Sequence, residues 1–169
     1  MNSTELQLSS YSFKSVRTYL LATLFIIGNL LLPQMLHLLP QGGRVWLPIY
    51  FFTLVGAYRY GWKVGVLTAV ASPVLNSILF GMPASSALPL IIIKSVALAV
   101  TAGLVSAHFK RVSLVLILLV IVVYQGIGLI AEWILSGEFS VALTSILTSV
   151  PGLLVQLLGG YLVLRRLNP

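Results

Sequence analysis

Residues 87–111 read ALPLIIIKSVALAVTAGLVSAHFKR, a long apolar run that ends in two basic residues. At 1.5 Å per residue, a helix over the apolar part would be about as long as the hydrocarbon core of a bilayer is thick. Small residues recur at every fourth position, at Ser95, Ala99, Gly103 and Ala107. This spacing lets helix backbones approach closely in lipid. The stretch therefore predicts a membrane-spanning helix with one face packed on neighbouring helices.

The same apolar character recurs along the whole chain. Of its residues, 59% are hydrophobic and 8% are charged, and the mean hydropathy is +1.06. These values are typical of a membrane protein rather than a soluble domain. We predict six spans, which cover residues 18–39, 45–58, 61–81, 87–109, 112–135 and 141–164. The predicted fold class is an all-α membrane protein, a single domain of six transmembrane helices over residues 1–169.

The second predicted span, 45–58, is shorter than the roughly 20 residues of a full crossing. It either tilts little, extends into its flanking residues, or packs inside the bundle, where bilayer thickness does not constrain it. The first span contains Pro33, which we expect to kink the helix or to end its regular part.

Eight of the ten basic residues lie at every second junction between the spans. They are Lys14 and Arg17, Arg59 and Lys63, Lys110 and Arg111, and Arg165 and Arg166. The opposite junctions hold only Arg44, no charge, and Glu138. Because Lys and Arg are enriched in cytoplasmic loops, we predict that both termini are cytoplasmic and that the protein lies in the inner membrane. This pattern also explains the net charge of +7 without nucleic-acid binding.

The residues that most catalytic sites need are missing or far apart. The chain has no Cys, and its acidic residues are all Glu. His37 and His108 fall at opposite ends of their spans, so they cannot share a metal or serve one nucleophile. No Gly-x-x-x-x-Gly-Lys loop is present. We therefore expect a protein that is not an enzyme, holds no cofactor and does not hydrolyse ATP itself. The polar tail, 1–15, is expected to be a cytoplasmic leader to an uncleaved helix.

Lys94 follows the apolar start of the fourth span, roughly 10 Å below its outer end. A lysine near the middle of a span costs about 2.5–3.5 kcal/mol on insertion scales. Glu132, in the fifth span, falls in the same half of the membrane. Lys94 either reaches outward or forms a structural ion pair with Glu132, or the two line an outward-facing cavity in which Lys94 receives an anionic or carbonyl group. The sequence leaves these alternatives open.

Further polar residues occur within the spans, where each must be satisfied or meet water. Asn76 and Thr148 are expected at a depth similar to that of Lys94. Gln125 and Gln156 also cost more than the serines and threonines, which can bond to their own helix. A small number of polar groups that converge among apolar walls is typical of a small-molecule pocket.

A pattern of Gly, Pro and small residues covers roughly residues 30–107. Its members are Leu47-Pro48-Ile49, Gly56, Gly61, Gly65, Pro73, Ser77, Gly81-Met82-Pro83, Lys94, Ala99 and Gly103. The pattern resembles the substrate-binding S component of energy-coupling factor (ECF) vitamin transporters. The resemblance implies six helices with cytoplasmic termini, a vitamin-like ligand, and partners that comprise a transmembrane coupling subunit and two ATPase subunits.

The resemblance also implies a ligand site in the outer half, enclosed by the first outer loop and helices four to six. Its residues here would be Arg44, Trp46, Lys94, Gln125, Glu132, Thr148 and Gln156. The free-energy cost of a polar side chain within a span adds Asn76 to this set. Small residues at Ala22, Gly61 and Gly65 would contact the partner, although Ile26 stands where the family often has a second small residue. Lys94 and Arg44 favour an anionic or electron-rich ligand, and Trp46 and Trp133 would stack on an aromatic one.

Two other functions are compatible with such a chain. One is a membrane scaffold or assembly protein, for which Lys94 and Glu132 would affect only stability. The other is a stand-alone transporter of small solutes. The stand-alone transporter is disfavoured because the chain shows no inverted repeat and its polar groups do not continue through the inner half of the spans.

Overall fold

The computed structural model describes residues 12–36 and 45–167, and the regular structure within these ranges is helical, without a β-strand. The all-α prediction is therefore confirmed for the described part of the chain. The seven helices found there are α1 Val16–Leu36, α2 Pro48–Tyr60, α3 Trp62–Phe80, α4 Leu88–Phe109, α5 Leu114–Ser136, α6 Phe139–Thr148 and α7 Val150–Arg166.

Four of the described helices, α1, α3, α4 and α5, are long and apolar enough to cross a membrane. The pair α6 and α7 passes the same test when taken together, with a bend of 49° between the two helices. Large apolar side chains on these helices are exposed, among them Ile78, Val115 and Ile134, each more than 70% accessible. Such surfaces are compatible with a multi-pass membrane protein.

The sequence predicts one continuous span over 141–164, whereas the structure bends between α6 and α7. Pro151 lies in the first turn of α7, and it has no N–H to donate to the preceding turn. The end of α6 is capped instead by Ser149, whose backbone N–H donates to the carbonyls of Ser145 and Ile146. The proline thus ends one helix and starts the next in a new direction.

α2 is the central helix of the bundle, although it is only 13 residues long. It contacts α1, α3, α4 and α7. Most of its side chains are buried, and these are Pro48, Ile49, Tyr50, Thr53, Leu54, Val55, Ala57 and Tyr58. Of the three alternatives for the short second span, packing inside the bundle agrees with this arrangement.

Small residues allow the helices around α2 to approach closely. A Cβ added at Gly65 of α3 would collide with Ala57 of α2 and would press on Ala99 of α4. A Cβ at Gly103 of α4 would collide with the backbone of Trp62, the first residue of α3. The four-residue spacing of small residues is therefore used for contacts within this chain.

The predicted basic junctions gather at one end of the bundle. Tyr58, near the end of α2, donates its hydroxyl to the Arg111 carbonyl between α4 and α5 at 2.8 Å. The Lys63 ammonium, at the start of α3, lies 5.5 Å from the centre of the Phe13 ring, which precedes α1.

α7 brings its basic end to the same side. It runs alongside α2 in the same direction, because Gly152 meets the backbone of Trp46 while Gly160 meets Leu54 further along both helices. The last turn of α7, with Arg165 and Arg166, therefore lies at the end of the bundle where α2 meets α3.

Candidate ligand-binding cavity

A cavity of about 520 Å³ lies at the opposite end of the bundle, between the start of α2, the first turns of α4, the last turns of α5, and α6. Its apolar lining consists of Leu47, Ile49, Ala87, Leu90, Ile91 and Val141. Its polar lining consists of Tyr50, Lys94, Gln125, Glu132, Ser140, Thr144, Ser145, Thr148 and Ser149. A volume of this size falls in the range of small-molecule sites.

An ion pair lies in the cavity wall. Lys94 Nζ of α4 donates to Glu132 Oε2 of α5 at 2.7 Å, and the two side chains are only 10% and 13% exposed. Poorly hydrated charges of opposite sign compensate each other, whereas either one alone would be costly. The ammonium retains further N–H donors and the carboxylate a second acceptor oxygen. The pair therefore offers a donor and an acceptor side by side.

Gly128 makes room for the lysine. It lies one turn before Glu132 on α5, and a Cβ added there would be 2.5–3.0 Å from Cγ, Cδ and Cε of Lys94. The aliphatic stem of Lys94 thus lies directly against the α5 backbone. Any side chain at position 128 would have to push the stem away from its present path to Glu132.

The hydroxyls of α6 face the cavity from the other side. Thr144 donates to the Ser140 carbonyl at 2.8 Å and Thr148 to the Thr144 carbonyl at 2.8 Å. Since their hydrogens bond to their own helix, the oxygens present lone pairs to the cavity. This wall is therefore polar without being charged.

The structure brings four of the predicted binding residues together at this cavity: Lys94, Gln125, Glu132 and Thr148. Arg44 lies outside the described residues. Trp46, Asn76 and Gln156 are described, but they do not belong to the cavity lining.

Asn76 lies in a buried polar network between α1, α2 and α3. Its amide nitrogen donates to the Asn29 carbonyl at 2.9 Å. That carbonyl is the one that Pro33, four residues later in α1, cannot bond to, since proline has no N–H. The Asn29 side chain in turn donates to Thr53 and Ser72. Asn76 therefore satisfies a backbone group that the proline leaves free, and α1 continues past Pro33 to Leu36.

Gln156 lies behind the cavity wall. Its Oε1 accepts a hydrogen bond from the buried Tyr124 hydroxyl at 2.8 Å. The Tyr124 ring packs on Tyr50, with 5.9 Å between ring centres, and Tyr50 lines the cavity. Gln156 thus supports the lining through two aromatic rings. The backbone of Trp46 packs on Gly152, one turn before Gln156.

The predicted partner-contact residues lie mainly in the interior of this chain. Ala22 is 3% exposed and belongs to the hydrophobic core. Gly65 is buried against α2 and α4. Gly61 joins α2 to α3 with φ +93, a conformation that favours glycine, and the space beside it is open. Contact of these residues with another subunit stays a prediction.

Sequence reasoning assigned no role in the site to three residues, Tyr50, Ser145 and Gly128. Tyr50 gave no signal, because an aromatic residue in a short apolar span is unremarkable. Ser145 could not be distinguished from the other serines and threonines of the last predicted span. Gly128 did have a signal, since it precedes Glu132 by one helical turn on the same face.

Over the described residues, the fold is thus helical, with several membrane-compatible helices and a partly polar cavity at the end of the bundle away from its basic junctions. Among the residues described, no group of three or more His, Cys, Asp or Glu is placed to hold a metal ion. No family model, curated protein or solved structure matches the sequence or the fold.

Proposed function

We propose that this chain is the substrate-binding membrane subunit of an ECF-type importer, which captures a small water-soluble molecule such as a vitamin from outside the cell. The observation that carries the proposal is the cavity of about 520 Å³ with the Lys94–Glu132 pair in its wall. A scaffold does not require a cavity that combines apolar walls with poorly hydrated charges. Such a combination is what a site for a small ligand requires.

The proposed topology has six membrane-inserted elements, namely α1 to α5 and the bent pair α6 and α7, with both termini cytoplasmic. The gathering of Arg59, Lys63, Arg111 and the end of α7 at one side of the bundle supports this orientation, because basic residues are retained on the cytoplasmic side. The cavity then opens in the outer half of the membrane. An outward position suits a subunit that collects its ligand from outside.

The proposal also assigns ATP hydrolysis to other subunits. No nucleotide-binding loop occurs in the sequence, so ATP would be hydrolysed by two partner ATPases and transmitted through a transmembrane coupling subunit. The support for these partners is the sequence resemblance over residues 30–107. They are tested separately from ligand binding.

Ligand binding is tested by thermal unfolding of the detergent-solubilised protein with and without the low-molecular-mass fraction of a cell extract. A ligand at about 100 times its Kd stabilises the folded state by about 2.7 kcal/mol. This corresponds to a rise of roughly 5–10 °C for a chain of this size. Ser145→Phe fills the cavity from α6, and Leu147→Phe is the matched control because Leu147 is 63% exposed on the same helix.

We expect the extract to raise the unfolding temperature of the wild type and of Leu147→Phe, but not that of Ser145→Phe. Equal shifts in all three proteins would show that binding does not occur in this cavity. No shift in the wild type would favour the scaffold.

The importer assembly is tested by purifying the tagged chain from its native membranes in mild detergent. The expected result is co-purification of two ATPases and one transmembrane protein, together with ATP-dependent uptake of the ligand into vesicles. Uptake by the chain alone would instead support a stand-alone transporter.

A further inference from the structure

The charge of the ligand can be inferred from the cavity wall, on the basis of the proposed function. Among the cavity-lining residues that the structure describes, Lys94 and Glu132 are the charged ones, and they carry opposite charges 2.7 Å apart. The remaining polar lining consists of hydroxyls and one amide. The described wall is therefore electrically neutral as a whole, although it is locally strongly polar.

A neutral wall discriminates against ions. An anion that approached Lys94 would share the ammonium with Glu132, so that one of the two negative charges would be left without compensation in a poorly hydrated cavity. A cation that approached Glu132 would share the carboxylate with Lys94 in the same way. The sequence-based expectation of an anionic or electron-rich ligand considers Lys94 and Arg44. The ion pair compensates the charge of Lys94, and Arg44 lies outside the described residues.

The same wall has directional hydrogen-bonding requirements. Lys94 offers unused N–H donors, so it needs an acceptor on the ligand. Glu132 offers a free carboxylate oxygen, and the Thr144 and Thr148 oxygens offer lone pairs. These groups need donors on the ligand. The acceptor and the donors must be close together, since the two charged atoms are in contact.

We infer that the ligand has no net charge at neutral pH, and that it carries an acceptor for Lys94 next to a donor for Glu132. Zwitterions and uncharged molecules with adjacent N–H and C=O groups meet both conditions. Each such molecule can hydrogen-bond to Lys94 and Glu132 together and adds no net charge to the wall. Gln125, whose side chain both donates and accepts, also lines the cavity and can bind either kind of group.

The inference is tested by incubating the wild-type protein in detergent with the low-molecular-mass fraction of a cell extract at neutral pH. Compounds that stay bound after washing are released and identified by mass spectrometry. A retained compound of zero net charge supports the inference, and a retained anion or cation overturns it. If nothing is retained, the proposed function itself is contradicted, and the inference falls with it.

The Glu132→Gln variant gives a second readout. It keeps the shape of the side chain but leaves the Lys94 charge without its partner. We expect at least a tenfold weaker affinity for the compound that the wild type retains, and new retention of anions. Unchanged affinity with no change in charge preference would show that the pair does not set the specificity.

Discussion

At the scale of single residues, the central feature is Lys94, because residues of α5 contact both its aliphatic stem and its ammonium. Its stem lies against Gly128 and its ammonium contacts Glu132, one turn further along α5. The insertion cost of Lys94 indicates from sequence that it has a partner or a function. The structure supplies both the partner and the groove that leads to it.

Gly128→Ala is expected to displace the Lys94 stem and to lengthen its contact with Glu132. Overpacking typically costs 1–3 kcal/mol, so we expect a lower unfolding temperature and weaker ligand retention, although alanine is the better helix former. Gly126→Ala is the matched control, because a Cβ there meets nothing within 4 Å. Both quantities are measured by thermal unfolding and by mass spectrometry of bound compounds.

If Gly128→Ala behaves like Gly126→Ala, the lysine stem has room to move and Gly128 does not position it.

Lys94→Met leaves the carboxylate of Glu132 without its counter-charge. Breaking a buried pair by removing one partner costs about 3–5 kcal/mol, and the low exposure of both side chains places this pair near that case. The double variant Lys94→Met/Glu132→Gln removes both charges, and we expect it to recover most of the stability but none of the ligand binding. Thermal unfolding and ligand retention separate the two effects.

Recovery of ligand binding in the double variant would mean that the pair serves only the stability of the fold and that ligand binding does not depend on it.

At the scale of helices, the network around Pro33 explains how α1 tolerates a proline near its end. The expectation of a kink or an early end was based on the missing N–H, which is a local effect. The compensating donor, Asn76, is 47 residues away in sequence from Asn29, whose carbonyl it bonds to. Polarity within a span predicts that Asn76 needs partners, but only the packing of α1 on α3 determines which partners it has.

Asn76→Ala is expected to destabilise the protein by about 1–3 kcal/mol, because it leaves the buried Asn29 carbonyl unsatisfied. In a Pro33→Ala background the restored N–H can bond to that carbonyl, so the same substitution should cost less. Thermal unfolding of the four proteins in this double-mutant cycle measures the coupling. Additive effects would contradict the assigned role of Asn76. Ligand binding should change little in either single variant.

Helix positions were predictable to within a few residues, because long apolar runs bounded by Gly, Pro and charge are strong signals. The break at Ser149 was missed, although Pro151 provides a local reason for it. Of the candidate site, Lys94 and Glu132 have a high membrane cost and lie on neighbouring helices. The structure shows them in contact, which the sequence left as one of several alternatives. Gln156 could not be placed, since its distance from the cavity depends on the packing of Tyr124 and Tyr50.

At the scale of the whole molecule, the bundle has two chemically different ends. One gathers the basic junctions, and the other contains the cavity and the exposed Glu138. If the basic end is cytoplasmic, the loop between α3 and α4 and the junction between α5 and α6 face the outside. Orientation in the membrane and access to the cavity are therefore linked.

The absence of native cysteines allows a direct test of this orientation. Ser85→Cys and Glu138→Cys are expected to react with a membrane-impermeant maleimide in intact cells. Lys110→Cys, at the basic end, should react only after the cells are opened. The reverse pattern would place the cavity on the cytoplasmic side and would exclude capture from outside.

The most direct test of the central claim is quantitative mass spectrometry of small molecules released from the purified wild-type protein. The account predicts one water-soluble, electrically neutral compound at close to one molecule per chain, and its loss from Ser145→Phe but not from Leu147→Phe. Finding only lipid in all three proteins, purified from cells grown in rich medium, would contradict a binding function. The Lys94–Glu132 pair would then be a structural ion pair.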